Sequence, residues 1–278
     1  MMGRRRLTNC SLGLVLIFAV SGSVGTMKFS EGSRQVAYSA GLGARQLAAV
    51  PVSELRARAT PNCVPAERSV GSPSVAYAAL VRNEVVIRKE PNGHSGVVSR
   101  AERFNENGFR EVLGVVGAHA GARCTPDWYR VELPILPNGT RGWVRAWAVQ
   151  TYRVHSRIVV DVSQRRLRLF RFGKLAFETA VSVGASSTPT PLGRFFVNER
   201  YVLPDASGPF GPAALGISAH SDVLQHVWVE DGPIGIHGTN EPGSIGHAVS
   251  HGCIRVSNTV MRRLFRLAPA GTPVLVQA

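Results

Sequence analysis

A thiol and two imidazoles lie close together near the C-terminus of the chain, at Cys253, His237 and His251. A thiolate is the nucleophilic form of cysteine, and a nearby imidazole can accept its proton and return it later. Glycine precedes the thiol at Gly252 and follows the first histidine at Gly238, so the backbone is accessible at both points. The N–H groups of Gly252 and Cys253 can stabilise an oxyanion. The segment therefore predicts a cysteine nucleophile with a histidine base.

The same segment carries a cation, Arg255, whose guanidinium can hold a substrate carboxylate through two parallel hydrogen bonds. A metal site is the competing interpretation, because His237, His251 and Cys253 are ligand types found in open zinc sites. His251 and Cys253 are only two residues apart, so both bind one ion only across a tight turn. We therefore favour the nucleophile, and we expect neither a metal nor another cofactor. His247 is expected to be a solvated loop residue.

Composition and charge restrict the class of protein and its partners. The 278 residues are enough for one large domain or two ordinary domains. Hydrophobic residues make up 44% and charged residues 18%, which excludes a disordered chain. The formal net charge of +14 predicts an anionic partner.

The first 27 residues have the layout of a secretory signal. Residues 4–6 are all arginine, residues 12–20 are apolar, and small residues follow at 21–23. Residues 1–27 therefore predict a signal peptide or signal anchor, and an exported protein of the cell wall or periplasm. Membrane contact is expected only through this segment if it is not cleaved. Nucleic acid is not an expected partner outside the cytoplasm, whereas anionic wall polymers and carboxylate-rich peptides are.

Three further parts of the chain follow the predicted signal, and their fold must position the candidate catalytic residues. Residues 28–72 are rich in Ser, Gly, Ala, Arg and Pro, which predicts a linker or stalk. Residues 73–152 contain short strand-like runs and an Asn138-Gly139 hairpin signal, which predict a small β domain. Residues 153–278 contain more strand-like runs, one of which ends at His237. The fold class is therefore mainly β.

One short helix is expected near the C-terminus. Met261, Leu264, Phe265 and Ala268 follow the spacing of one helix face, and Ser257 or Asn258 can cap its start. The four cysteines do not make a disulfide framework in a chain of this length. Cys63 and Cys124 are candidates for one pair, and that pairing is left open.

The segment 237–255, HGTNEPGSIGHAVSHGCIR, resembles the active-site signature of the L,D-transpeptidase catalytic domain, the YkuD family. Residues 188–193, TPTPLG, and residues 210–216, FGPAALG, resemble two upstream motifs of that family. The resemblance covers about 155–278 and implies a β-sandwich-like catalytic domain with a short helix. Residues 73–152 resemble the SH3-like modules that accompany wall enzymes.

The resemblance also implies roles for individual residues. Cys253 would be the nucleophile, and His237 would be the general base, its ring oriented by a backbone carbonyl near Gly238. His251 would support the thiolate or line the site. The remaining matched positions would shape the substrate pocket or the oxyanion site: Gly238, Ser250, Gly252 and Arg255. Many members have Asn in place of Arg255 and a longer gap between the two motif histidines, so the substrate in detail stays open.

The implied reaction is acyl transfer on peptidoglycan stem peptides. The thiolate would attack a tetrapeptide stem, release D-Ala and form a thioester, and an amine of a second stem would then form a 3→3 cross-link. An L,D-carboxypeptidase, with water as the acceptor, and a non-catalytic peptidoglycan-binding wall protein are the alternatives. Because water competes for a thioester, we expect a covering loop, and we predict it at residues 201–216 with Phe210 on it.

Overall fold

The computed structural model describes residues 66–121, 125–224 and 232–278. Within these ranges the backbone forms two eight-stranded sheets, a two-stranded sheet and one α-helix, so the mainly β prediction is confirmed. The predicted signal at 1–27, most of the predicted linker, a predicted strand at 227–229 and the candidate pair Cys63 and Cys124 lie outside the described residues. In the described ranges, no helix is long and apolar enough to cross a membrane.

The N-terminal sheet is antiparallel and contains residues 66–154. Its strands are β1 (Ala66–Ser69), β2 (Ala76–Val81), β3 (Val85–Arg88), β4 (Val97–Ala101), β5 (Val112–Ala120), β6 (Pro126–Glu132), β7 (Arg141–Arg145) and β8 (Val149–Val154). They follow the order β4-β3-β7-β6-β5-β2-β8, and β1 pairs with β5. The hydrophobic core formed by this sheet includes Ile87, Leu113 and Tyr129, because alternate residues of each strand face the core.

The hairpin signal at Asn138-Gly139 is confirmed. β6 and β7 are antiparallel, and the turn between them contains Gly139 in a left-handed conformation. The prediction of a linker up to residue 72 is corrected at its end, because β1 pairs with β5 from Ala66 to Ser69. β1 is polar and mostly exposed, as an added edge strand can be, so its sequence lacks the apolar pattern of a strand. The SH3-like assignment of 73–152 stays a prediction.

The C-terminal sheet holds the candidate catalytic residues. Its strands, with those of the two-stranded sheet, are β9 (Ser156–Asp161), β10 (Arg166–Arg171), β11 (Lys174–Ala180), β12 (Val183–Gly184), β13 (Gly193–Val202), β14 (Ala213–His220), β15 (Pro233–His237), β16 (Ala248–Ser250), β17 (Ile254–Arg255) and β18 (Pro273–Gln277). The large sheet has the order β11-β10-β9-β18-β13-β14-β15-β17, and β12 pairs with β16. The helix α1 (Asn258–Leu267) packs against β14.

The predicted helix is confirmed, and its start and buried face have clear causes. The Ser257 side chain accepts a hydrogen bond from the Val260 N–H at 3.4 Å, which satisfies one N–H of the first turn. Met261 and Leu264 are fully buried in the core of the C-terminal sheet. The helix therefore lies in a fixed position beside the candidate site.

The predicted covering loop at 201–216 is too long. β13 ends at Val202 and β14 begins at Ala213, so only residues 203–212 connect them as a loop. β14 lies between β13 and β15 and is buried along almost its whole length. A strand covered on both faces shows no alternation of polar and apolar residues, and its small residues resemble a loop.

The two large sheets contact each other through apolar and polar groups. Phe196 of β13 is buried against Ala78, Val112 and Val154 of the N-terminal sheet. The Asn138 amide donates to the His220 carbonyl oxygen at 2.7 Å and accepts from the His220 N–H at 2.9 Å. This two-way hydrogen bond fixes the β6–β7 turn to the end of β14.

A cavity of about 720 Å³ lies between the two sheets and contains several carboxylates. Burial, followed by the nearby charges of Glu199 and Glu106, raises the pKa of Glu111 from 4.5 to about 7. The folded state therefore binds more protons than the unfolded state between these values. The Glu111 contribution to stability is present at pH 4.5 and is lost as the pH rises to about 7.

We expect Glu111→Gln to raise the free energy of unfolding at pH 8 by up to about 3 kcal/mol, because the neutral amide carries no charge to bury. At pH 4.5 the effect should be small, since Glu111 is then protonated in the folded state. Denaturant titrations at both pH values measure the difference. The exposed Glu90→Gln variant is the control, and an equal effect of Glu111→Gln at both pH values would contradict the prediction.

Candidate active site

Parallel pairing of β15 and β17 brings the two halves of the candidate site together. Ile236 lies opposite Ile254 and His237 lies opposite Arg255. Both isoleucines belong to the buried core, so their chain neighbours face the other side of the sheet. Cys253 directly precedes β17, two residues from Arg255. The register therefore puts Cys253 opposite Gly235, on the same face of the sheet as His237 and two residues from it along the strand pair, and both side chains are almost fully buried.

His237 is held in one tautomer. Its Nδ1 lies 2.6 Å from the carbonyl oxygen of Gly238, and a carbonyl oxygen only accepts hydrogen bonds. In the neutral ring, Nδ1 therefore carries the proton and Nε2 is the acceptor nitrogen. Nε2 is buried and has no hydrogen-bond partner among the described residues. A buried imidazole with a fixed tautomer and an open acceptor nitrogen is the arrangement of a general base.

Phe210 covers His237 from the loop between β13 and β14. The two rings meet edge to face, with their centroids 5.0 Å apart and their planes at 70°. The loop is folded on itself, because Asp205 accepts hydrogen bonds from the N–H and hydroxyl of Ser207. The structure therefore places Phe210 on a covering loop, and that loop spans residues 203–212.

A tight turn presents Cys253. The Ser250 hydroxyl donates to the Cys253 carbonyl oxygen at 2.6 Å and accepts from the Gly252 N–H at 3.2 Å. Gly252 has a φ of +112°, and a Cβ there would lie 2.8 Å from Ile234 Cδ1. Only glycine fits that backbone without strain. Ser250 therefore shapes the turn, and its hydroxyl already uses one of the two N–H groups predicted for the oxyanion site.

The TPTPLG segment, residues 188–193, forms hydrogen bonds to the backbone of the turn that presents Cys253. Thr190 is buried, and its hydroxyl accepts from the Gly184 N–H at 2.9 Å and donates to the Gly252 carbonyl oxygen at 2.8 Å. The Thr188 hydroxyl donates to the Ser250 carbonyl oxygen at 3.1 Å. The motif that motivated the family resemblance therefore acts as a backbone clamp on the residues that precede the thiol.

Thr190→Val is expected to lower the free energy of unfolding by about 2–3 kcal/mol, because it leaves two buried backbone groups without a partner. We also expect faster alkylation of Cys253, since this almost fully buried thiol becomes more accessible when the turn around it loses its support. Thr190→Ser keeps the hydroxyl and is the matched control. Denaturant titration and the rate of iodoacetamide labelling measure the two effects. Equal behaviour of the valine and serine variants would count against a clamp.

The structure gives Arg255 a partner within the chain. Its Nη1 lies 2.5 Å from Glu241 Oε2, and the Glu241 side chain is mostly exposed. Arg255 Nε is buried and has no hydrogen-bond partner in the described ranges. An exposed ion pair contributes little to stability, so a substrate carboxylate can compete with Glu241 for the guanidinium. Glu241 was not singled out from the sequence.

His251 makes no hydrogen bond, ion pair or ring contact with the other site residues in the described ranges. It lies half-buried before Gly252 and makes no hydrogen bond or ion pair with another described residue. Its predicted role beside the thiolate therefore stays a prediction. In the described part of the chain, no group of three His, Cys, Asp or Glu side chains is placed to hold a metal ion.

Sequence comparison places this catalytic segment among known proteins. Residues 155–276 match the profile of the L,D-transpeptidase catalytic domain, YkuD. The YkuD protein of Bacillus subtilis is 36% identical over 125 residues, which are 45% of this chain and 68% of that protein. The chain belongs to the YkuD family. The YkuD protein of Bacillus licheniformis is 40% identical over 120 residues, which are 43% of this chain and 64% of that protein.

Solved L,D-transpeptidase structures also resemble this YkuD-family chain. The catalytic domain of the Enterococcus faecium L,D-transpeptidase is 29% identical and has a TM-score of 0.32, over 44% of this chain and 95% of that domain. An L,D-transpeptidase from Mycobacterium smegmatis is 16% identical and has a TM-score of 0.38, over 54% of this chain and 90% of that chain. The chain spans 64% of the length of the Bacillus licheniformis relative.

Proposed function

We propose that this YkuD-family chain is a peptidoglycan L,D-transpeptidase that forms 3→3 cross-links through a thioester on Cys253. One observation carries the proposal: the Gly238 carbonyl fixes the proton on His237 Nδ1, and the buried acceptor nitrogen Nε2 belongs to a side chain on the same sheet face as Cys253, two residues from it in the register of β15 and β17. This pairing of a thiol and a base supports acyl transfer, and the family membership supports peptidoglycan stems as the substrate.

In the first step, His237 Nε2 takes the thiol proton and the Cys253 sulfur attacks a carbonyl carbon of the donor stem. That carbonyl belongs to the amide between the third residue of a tetrapeptide and its terminal D-Ala. The tetrahedral intermediate collapses, His237 returns the proton to the amide nitrogen, and D-Ala leaves as a free amino acid. The acyl group is then held as a thioester.

In the second step, an amine of a neighbouring stem attacks the thioester carbon. His237 accepts the proton of the amine, a new amide forms, and the sulfur leaves as a thiolate. One amide is broken and one is made, so the reaction needs neither ATP nor a cofactor. If water attacks instead, the product is a tripeptide and the protein acts as an L,D-carboxypeptidase.

The oxyanion of each step is proposed to bind the N–H groups of Gly252 and Cys253. The Gly252 N–H donates to the neutral hydroxyl of Ser250 in this structure. A charged oxygen is a stronger acceptor than a neutral hydroxyl, so the developing oxyanion can take over this N–H. Arg255 is proposed to bind a stem carboxylate by exchange with Glu241, and His251 to line the same pocket.

The test is mass spectrometry of the products formed by the purified chain from a disaccharide-tetrapeptide. A cross-linked dimer that lacks one D-Ala, and that a Cys253→Ala variant does not form, is the expected result. Tripeptide alone would mean that water is the acceptor. Unchanged substrate with both proteins would contradict an enzymatic role on this donor and favour a non-catalytic wall-binding protein.

We also propose an exported location, in the cell wall or periplasm, with the N-terminal segment as the sole membrane contact if it is retained. Anionic wall polymers are proposed as a second partner, because the chain has a net charge of +14. Arg262, Arg263 and Arg266 are exposed on the outer face of α1 and contribute to this charge. Nucleic acid has no part in this proposal.

A further inference from the structure

The Asn258 side chain connects two parts of the candidate site that are distant in sequence. Its Oδ1 accepts a hydrogen bond from the Thr239 N–H at 2.8 Å. Its Nδ2 donates to the Ala206 carbonyl oxygen at 3.2 Å. Thr239 belongs to the turn that follows β15, and Ala206 belongs to the covering loop, residues 203–212. One amide group thus satisfies a backbone donor on one side and a backbone acceptor on the other.

Two glycines let the backbone reach this amide. A Cβ added at either Gly211 or Gly238 would collide with Asn258 Oδ1, and one at Gly211 would also lie 2.8 Å from Gly238 Cα. The covering loop and the turn after His237 are therefore in direct backbone contact at Asn258. Any side chain at these two positions would push the loop and the turn apart.

The turn after β15 and the covering loop both contact the His237 ring. The turn supplies the Gly238 carbonyl that fixes the protonated Nδ1, and the loop supplies Phe210, whose ring edge contacts the imidazole. Asn258 is the first residue of α1, and Met261 and Leu264 anchor that helix in the core. A rigid helix start is thus the point to which both segments are attached.

We propose that Asn258 is a positioning residue that attaches the covering loop to the turn after His237. This attachment keeps water from the thioester on Cys253. The inference rests on the proposed function, since it concerns the fate of the thioester on Cys253. An amine and water compete for the same acyl carbon, and either reaction returns the sulfur as a thiolate. A covering loop that stays in place favours the bound amine over water.

Asn258→Asp tests the loop attachment selectively. The carboxylate keeps an acceptor for the Thr239 N–H, but it has no donor for Ala206 and its second oxygen faces that carbonyl. Aspartate at the first helical residue is favourable, so the variant should fold. Asn258→Ala removes both attachments. Ser257→Ala is the matched control, because it removes only the helix cap next to Asn258.

The first readout is the ratio of hydrolysed tripeptide to cross-linked product made by the full chain. For Asn258→Asp we expect this ratio to rise about five- to tenfold, because the loop loses one hydrogen bond. The ratio should change more than the rate of D-Ala release does. Ser257→Ala should leave the ratio at its wild-type value. An unchanged ratio in Asn258→Asp, or an equal rise in Ser257→Ala, would overturn the proposal.

The second readout is amide hydrogen exchange, which does not depend on activity. Asn258→Asp should speed exchange within residues 203–212 and leave the Thr239 amide protected, whereas Asn258→Ala should speed both. Exchange that is unchanged in the loop of either variant would overturn the proposed attachment. If no protein releases D-Ala, the proposed function fails, and the exchange data still decide whether Asn258 holds the loop.

Discussion

Replacing Cys253 by serine is expected to lower the rate of D-Ala release from a disaccharide-tetrapeptide by at least about 10³-fold. A hydroxyl ionises far less readily than a thiol, so the fixed imidazole of His237 has a much poorer nucleophile to activate. The side chain is almost fully buried, and serine is close to it in size, so the fold should be retained. Quantifying free D-Ala over time measures the effect.

Cys253→Ala is the control for this prediction, because it removes the nucleophile altogether and sets the background rate. The serine variant should lie at or slightly above that background. Thermal unfolding of the three proteins checks that the loss is chemical rather than structural. D-Ala release by the alanine variant at the wild-type rate would show that another group forms the acyl-enzyme.

His237→Asn is expected to lower the rate of D-Ala release by about 10²- to 10⁴-fold at neutral pH. The asparagine amide can still donate to the Gly238 carbonyl in place of Nδ1, but it supplies no basic nitrogen in place of Nε2. The thiol must then lose its proton to solvent. The remaining activity should therefore increase as the pH is raised, more steeply than that of the wild type.

The pH dependence separates a base from a residue that only supports the fold. Rates from pH 6 to about 10 give the two profiles, since an ordinary cysteine thiol ionises near pH 8.5. His237→Gln is a useful comparison, because it loses the Gly238 contact and the basic nitrogen together. A profile of His237→Asn that is parallel to the wild-type profile would argue against proton transfer by His237.

The sequence was most informative where a local pattern decides the structure. Cys253 and His237 stand out because a thiol, imidazoles and glycines occur in one short segment. The helix α1 was predicted because its apolar residues repeat at helical spacing and Ser257 can cap it. The β6–β7 hairpin was predicted from Asn138-Gly139, and the connection between the two strands, residues 133–140, contains Gly139 in a left-handed conformation although Asn138 does not adopt it.

Features set by contacts between distant segments were not predictable in this way. β14 is covered on both faces and rich in small residues, so its sequence resembles a loop until its neighbours β13 and β15 are known. The clamp of Thr190 on Gly252 joins residues 62 positions apart. Asn258 suggested only a helix cap in the sequence, and its two backbone contacts appear only once the covering loop and the turn after His237 are packed together.

The proposed function requires that Cys253 carries an acyl group. The most direct measurement is the intact mass of the full chain after incubation with a disaccharide-tetrapeptide and acid quenching, followed by peptide mapping of the adduct. We expect a mass increase equal to the donor stem without its terminal D-Ala, located on the peptide that contains Cys253 and absent from Cys253→Ala. D-Ala release without that adduct, or an adduct on another residue, would contradict the proposed function.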